Sequence, residues 1–170
     1  MHLIKIKMIS KLCQAFLLML SAYCFSQNYW QQAVDYKMVV DMNVDNFTYV
    51  GEQQLIYTNN SPDVLNKVFY HLYFNAFKPG SEMAARIKNG SDKNTRFNID
   101  IDTIDYKQQG YLKVYDLMQN DKKVKSKLSG TILEVTLKEP IKPGDSTTLS
   151  LKFEGKVPDL IRRAGKNSPE

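Results

Sequence analysis

The chain has 170 residues, 43% of them hydrophobic and 24% charged, with a formal net charge of +5. That composition excludes a disordered or fibrous chain and supplies enough apolar material for one sizeable core, so a single domain is the default. The charge excludes less than its value suggests, because part of it belongs to the first segment.

Met1 to Ser26 reads MHLIKIKMISKLCQAFLLMLSAYCFS, with Lys5, Lys7 and Lys11 ahead of an apolar run from Leu12 to Tyr23. Basic residues, then an apolar run, then a small residue is the order of a secretory signal peptide, so residues 1–26 are expected to be removed on export. The destination is periplasmic, outer-surface or extracellular. The apolar run is shorter than the about 20 residues of a spanning helix, and no transmembrane span is expected after cleavage. Cys24 offers a lipoprotein alternative, but the bulky Tyr23 stands where a small residue is needed. A retained anchor helix is the other alternative. Cys13 and Cys24 both lie in this segment, so the remaining chain is held by its core and not by disulfides. Removing three lysines from 23 basic residues leaves 20 against 18 acidic ones, a net charge of +2. No basic stripe with interleaved aromatics remains, and no nucleic-acid partner is expected.

From Val34 to Val44 the sequence alternates, with Val34, Tyr36, Met38, Val40, Met42 and Val44 on one face and Asp35, Lys37, Asp41 and Asn43 on the other. Period two over that length predicts a long half-buried strand. Asp45-Asn46 marks a turn, and Phe47, Tyr49, Leu55 and Tyr57 share a face of the returning strand. Gly51 in its middle predicts a bulge or bend. After the turn formers Asn59 to Asp63, the stretch VLNKVFYHLYFN predicts a third strand, and aromatics on both of its faces predict burial on two sides.

Residues 76–110 lose the pattern, apart from a short helical piece around Ser81 to Ile87 and a polar run from Lys88 to Arg96. Strands resume at about Tyr111 to Leu117, Thr131 to Lys138 and Thr147 to Phe153, punctuated by Asn120-Asp121 and Lys142-Pro143-Gly144-Asp145. Short strands, regular turns and no long helix predict an all-β fold, an antiparallel β-sandwich or saddle-like domain over residues 27–158. Residues 159–170, including Arg162 and Arg163, read as a linker or fragment end.

No catalytic, cofactor-binding or metal-ligating residue is assigned. His2 and His71 are the only histidines, and His2 leaves with the signal peptide, so neither an HExxH pair nor a cysteine cage can be built. His71 is expected to be a satisfied, partly buried histidine within the third strand. Asp100, Asp102 and Asp105 interleave with Ile99, Ile101 and Ile104, a pattern that predicts a solvated strand face more than a calcium loop. Nucleophile-elbow, phosphate-loop and dinucleotide glycine patterns are absent. Glycosylation acceptor triplets at Asn46, Asn59 and Asn89 recur by chance and carry no weight here.

The stretch from Tyr29 to Gly155 resembles the opening of exported zinc aminopeptidases of the gluzincin, alanyl-aminopeptidase-like family, in a Bacteroidetes-type form. FYHLYFNAFKPGS at Phe69 to Ser81 carries the resemblance most specifically, supported by TNNSPDVL at Thr58 to Leu65 and EPIKPGDSTTLSLKFEGKVP at Glu139 to Pro158. The resemblance implies a saddle-like, mostly antiparallel first domain that packs on a thermolysin-like catalytic domain. It implies zinc in that catalytic domain and none in this chain, because the family's HExxH helix, distal glutamate ligand, amine-binding strand and tyrosine match no position here. The expected partners are that catalytic domain and the parent's peptide substrates.

The leading expectation is therefore a non-catalytic β-domain that walls one side of an aminopeptidase cleft, inactive by itself. The alternative is a stand-alone exported β-sandwich that binds a protein or polymer through exposed aromatics such as Tyr29, Trp30, Tyr106 and Tyr111. A truncated pseudo-enzyme kept for binding fits the residues equally well.

Overall fold

The computed structural model describes Lys11, Gln14, residues 29–89, residues 100–161, Ala164 and Gly165. The expected signal peptide, apart from Lys11 and Gln14, lies outside the described residues, as do most of the polar run to Arg96 and the Arg162-Arg163 pair. The chain divides into two compact units, Met1–Gln31 and Gln32–Glu170. The strands of both main sheets belong to the second unit.

Two long strands open it. β1 (Ala33–Asn43) and β2 (Thr48–Thr58) pair antiparallel without interruption from Ala33↔Thr58 to Asn43↔Thr48. The turn between them forms because Asn43 Oδ1 accepts from the backbone N–H groups of Asp45 at 2.9 Å and Asn46 at 3.3 Å, while Asn46 Oδ1 accepts from Thr48 N–H at 3.1 Å. Short amide side chains bond their own backbone two residues on, which supplies a turn where strand pairing ends.

β3 (Leu65–His71) runs into a 3-10 turn at Tyr73–Phe77 and then α1 (Glu82–Lys88). The Ser81 hydroxyl caps this helix by accepting from Ala84 N–H at 3.1 Å, which satisfies one of the donors a helix start leaves open. Two further 3-10 turns, Ile101–Thr103 and Tyr106–Gln108, lead to β4 (Tyr111–Gln119), β5 (Lys122–Lys123), β6 (Lys125–Ser129), β7 (Ile132–Ile141) and β8 (Ser146–Lys156). A short ribbon of β9 (Leu160–Ile161) and β10 (Ala164–Gly165) comes last.

The strands form a five-stranded sheet in the order β1-β2-β8-β4-β5 and a three-stranded sheet in the order β3-β7-β6, with every pairing antiparallel. The all-β, antiparallel, two-sheet architecture read from the alternation is the observed one. Leu55, Leu149, Leu151 and Phe153 from the larger sheet bury against Val68, Leu133, Val135, Leu137 and Ile141 from the smaller. Leu149 and Val135 are 1% and 0% exposed, and full burial of side chains of this size contributes about 1.5–3 kcal/mol each.

Three buried amides fasten places where the backbone leaves its ladder. Gln119 at the end of β4 donates through Nε2 to Glu139 O at 2.7 Å and to Thr147 Oγ1 at 3.1 Å. Its Oε1 accepts from the N–H groups of Lys138 at 2.8 Å and Glu139 at 3.1 Å, so one side chain ties β4 to β7. Asn59 donates to Asp63 O and Ile141 O and accepts from Ser61 and Gln32. Asn75 pairs with both backbone groups of Leu112.

Several expectations are corrected. Gly51 makes no bulge, since the β2 register with β1 and β8 is continuous. A Cβ there would meet Phe153 Cζ at 2.5 Å and Val39 O at 2.6 Å, so the glycine serves close approach. The third strand is not buried on two sides: Val68 is buried, whereas Phe69 and Tyr73 are 58% and 71% exposed. DIDTID forms no strand face. Asp100 and Asp105 instead accept from the N–H groups of Asp102 and Lys107 and start the two 3-10 turns. Ile101 is the apolar anchor of that region, 1% exposed. β5 and β6 are strands that the sequence pattern does not predict.

Replacing Gln119 by leucine orphans the N–H groups of Lys138 and Glu139 in a partly buried site. An unmade buried hydrogen bond costs about 1–3 kcal/mol, so Q119L is expected to lower stability by at least about 2 kcal/mol. Urea unfolding checks this: the midpoint should fall while the slope stays unchanged.

Candidate interaction surface

Opposed residues on antiparallel strands point to the same side of a sheet. Leu55 is buried in the core and stands opposite Tyr36 of β1 and Leu149 of β8, so the register carries the inner face outward to Val34, Tyr36, Met38, Val40 and Met42. The three-stranded sheet covers this inner face over β2, β8 and β4. Over β1 it does not: every β1 residue is exposed, and none joins the core cluster. Tyr36, Met38, Val40 and Met42 are 57%, 49%, 52% and 46% exposed. The long half-buried strand expected from the sequence is therefore an uncovered edge strand, with its apolar face open along its length.

Tyrosines mark the boundary between the covered and open parts. Tyr57 of β2 and Tyr70 of β3 both lie within electrostatic reach of Tyr36. Burial, with Tyr36 adding a smaller effect, pushes the Tyr70 phenol far above its ordinary value. Burial likewise raises Tyr57, and it raises Tyr49 with a lesser effect from Tyr111. The Tyr70 hydroxyl and Gln53 Nε2 are buried without a hydrogen-bond partner among the described residues. Gln53 stands between Met38 and Leu151 on the same inner face. Buried polar atoms of this kind are costly, and here they flank the uncovered strip.

The opposite face of the larger sheet is charged. Lys152 of β8 pairs with Glu52 of β2 at 3.1 Å, and Lys113 of β4 with Glu154 of β8 at 2.8 Å. These exposed pairs order the surface more than they stabilise it.

The individually considered residues are dispersed. His71 ends β3 and is exposed, not partly buried, with its ring stacked on Tyr73 at a centroid distance of 5.3 Å. Asp102 accepts from Gly80 N–H at 2.9 Å, while Asp100 and Asp105 cap turns, so all three carboxylates have backbone roles. Among the described residues no group of three or more His, Cys, Asp or Glu is placed to hold a metal ion. Of the proposed aromatic contacts, Tyr29, Trp30 and Tyr106 are exposed, whereas Tyr111 is half-buried with the Lys113 ammonium 4.8 Å from its ring. No helix among the described residues is long and apolar enough to cross a membrane. Sequence alternation does not reveal the β1 strip as a surface, because it reports which residues share a face and not whether another layer lies on it.

No family model matches the sequence, and no curated protein matches it. Among solved structures, the chain is similar to an M1 zinc metallopeptidase from Deinococcus radiodurans, with 16% identity and a TM-score of 0.46 over 75% of this chain and 21% of that one. It is also similar to a mutant of the Deinococcus radiodurans enzyme bound to a Tyr-Ser-Ala substrate, at 16% identity and a TM-score of 0.45 over 76% and 23% of the two chains. A two-domain M1 zinc metallopeptidase mutant bound to L-tryptophan gives 16%, 0.46, 75% and 21% for the same measures. The chain thus spans about a fifth of the length of the structures it matches.

Tyr70→Phe deletes the unpartnered hydroxyl and keeps the ring. Stability at neutral pH is expected to rise by about 1 kcal/mol, since the buried group has no bond to lose. An unfolded tyrosine ionises near 10, while folded Tyr70 holds its proton to higher pH. The folded state thus binds more protons above pH 10, and stability falls as pH rises through that range. Y70F should flatten this decline in thermal melts between pH 9 and 11, with Tyr49 and Tyr57 leaving a residual slope.

Proposed function

We propose that this chain is the N-terminal, non-catalytic β-domain of an exported zinc-dependent aminopeptidase, and that it packs its uncovered inner face on the catalytic domain of that enzyme. The observation that carries the reading is the open strip of Tyr36, Met38, Val40 and Met42. It continues the domain's own core face yet has no layer upon it among the described residues. A contiguous exposed apolar patch of this kind marks an interface.

The sequence resemblance supplies the identity of the missing layer. Its most specific phrase, from Phe69 to Ser81, builds the corner where β3 turns into the 3-10 segment, with Leu72 buried and Asn75 bonded to Leu112. The phrase is thus a framework signature and belongs to the domain's shape. In the parent, a zinc ion held by the catalytic domain would activate water with a glutamate as general base. This chain would bury its strip there, wall the cleft and limit access to peptide N-termini, with no catalytic side chain of its own.

Reading the encoding DNA beyond the Glu170 codon tests the proposal. An open frame continuing into an HExxH helix supports it, and a stop codon directly after Glu170 sinks it in favour of a stand-alone binding module. On the protein, Met38→Lys with Val40→Lys should leave unfolding stability within about 0.5 kcal/mol, as expected for exposed positions. The same pair should lower binding of an apolar dye and abolish association with the catalytic domain supplied in trans.

A further inference from the structure

Among the described residues β1 has a second unpaired surface, its hydrogen-bonding edge. It is the outermost strand of the five-stranded sheet, 11 residues long, and its pairing with β2 shows no bulge. Sheet edges are usually protected by short strands, proline, bulges, charged side chains, inward-pointing charges or a covering segment. Among the described residues β1 has no proline, bulge or inward-pointing charge, and its only protection is its outer-face charges. Its charges, Asp35, Lys37 and Asp41, all project from the outer face, and none makes an ion pair among the described residues.

Symmetry restricts what a second copy could do here. Two β1 strands related by a two-fold axis normal to the sheet run antiparallel and keep the same face up. Directly opposed residues must also share a face, so the numbers of opposed residues can only sum to an even value. Centring on Lys37 opposes lysine to lysine, and centring on Met38 opposes Asp35 to Asp41 twice. Centring on Tyr36 sets Asp35 against Lys37 twice but pairs only seven residues of the strand, and centring on Val40 makes no ion pair. Centring on Val39 pairs nine residues and sets Lys37 against Asp41 twice, Val39 against itself and Asp35 against Asn43 twice. On the inner face the same register opposes Tyr36 to Met42 and Met38 to Val40. Cross-strand pairs of opposite charge stabilise and like pairs destabilise.

We propose that two copies of this chain pair edge to edge through β1 in the Val39-centred register, forming one continuous ten-stranded sheet. The occupant is identified by charge complementarity: the strand carries both halves of its own ion pairs, and of the registers that form them the Val39-centred one pairs the most residues. The 69% exposure of Val39, the one large apolar residue on the outer face of β1, is accounted for by its place on the axis. The pairing leaves the inner strip open and is independent of the proposed function. It would stand if the DNA test failed, and it could fail while that reading held.

Disulfide trapping tests it on the full chain, with Cys13 and Cys24 replaced by serine. In the proposed register the two Val39 Cα atoms lie about 4.5–5.5 Å apart, within disulfide range. The two Asp35 Cα atoms lie roughly 27 Å apart, eight residues of strand rise. V39C should crosslink under mild oxidation while D35C alone does not, and a mixture of D35C with N43C should give the heterodimer. Adding K37E to V39C should slow crosslinking by about tenfold, and adding K37E with D41K should restore it, with circular dichroism confirming that each variant is folded. No crosslink by V39C, crosslinking of D35C at the same rate, or indifference to the charge exchange would each overturn the proposal.

Discussion

The structure depends on a mismatch of width. Five strands present one apolar face, and three strands cover it. Where the cover lies, over β2, β8 and β4, alternate side chains interdigitate and form the core. Where it stops, the same alternation continues in β1 without a counterpart. The hydrophobic effect makes no distinction between these residues along the strand, since apolar area gains free energy only when something removes it from water. The fold is closed on one side and open on the other, and its functional reading follows from that asymmetry.

Buried polar groups separate the two regions. Inside the covered part, Gln119, Asn59 and Asn75 have their amide bonds filled and fix where strands end and connections begin. At the border of the open part, Gln53 Nε2 and the Tyr70 hydroxyl are buried and unfilled. Satisfied networks rigidify a core, and unsatisfied groups in the same low-dielectric setting are a liability. Among the described residues, the amides at strand ends are satisfied, whereas Gln53 and Tyr70 near β1 are not.

Much of the fold is legible in the sequence. The β1–β2 hairpin, the Asn46 turn and the strands numbered β4, β7 and β8 follow from period-two patterning and turn residues, with ends shifted by one to three residues. β5 and β6 are illegible because KKVKSKLS has no apolar alternation. Its lysines suit an exposed edge, where pairing with β7 and not burial makes the strand. DIDTID misleads because alternating isoleucine and aspartate also fits 3-10 turns in which each aspartate bonds its own backbone. The candidate surface is only half legible: the residues of the strip can be named from sequence, but its exposure depends on how far a distant sheet extends.

The glycine at position 51 has a wider consequence. It sits between Val40 and Phe153 across three strands, and the Phe153 ring lies over it. On either side of Val40 stand Met38 and Met42, two unbranched thioether chains that repack readily. A surface with such pliant side chains does not demand one rigid counterpart. Sequences on both sides of such a contact can drift widely while the contact persists, and kinship becomes hard to detect by residue matching long before the two surfaces cease to fit.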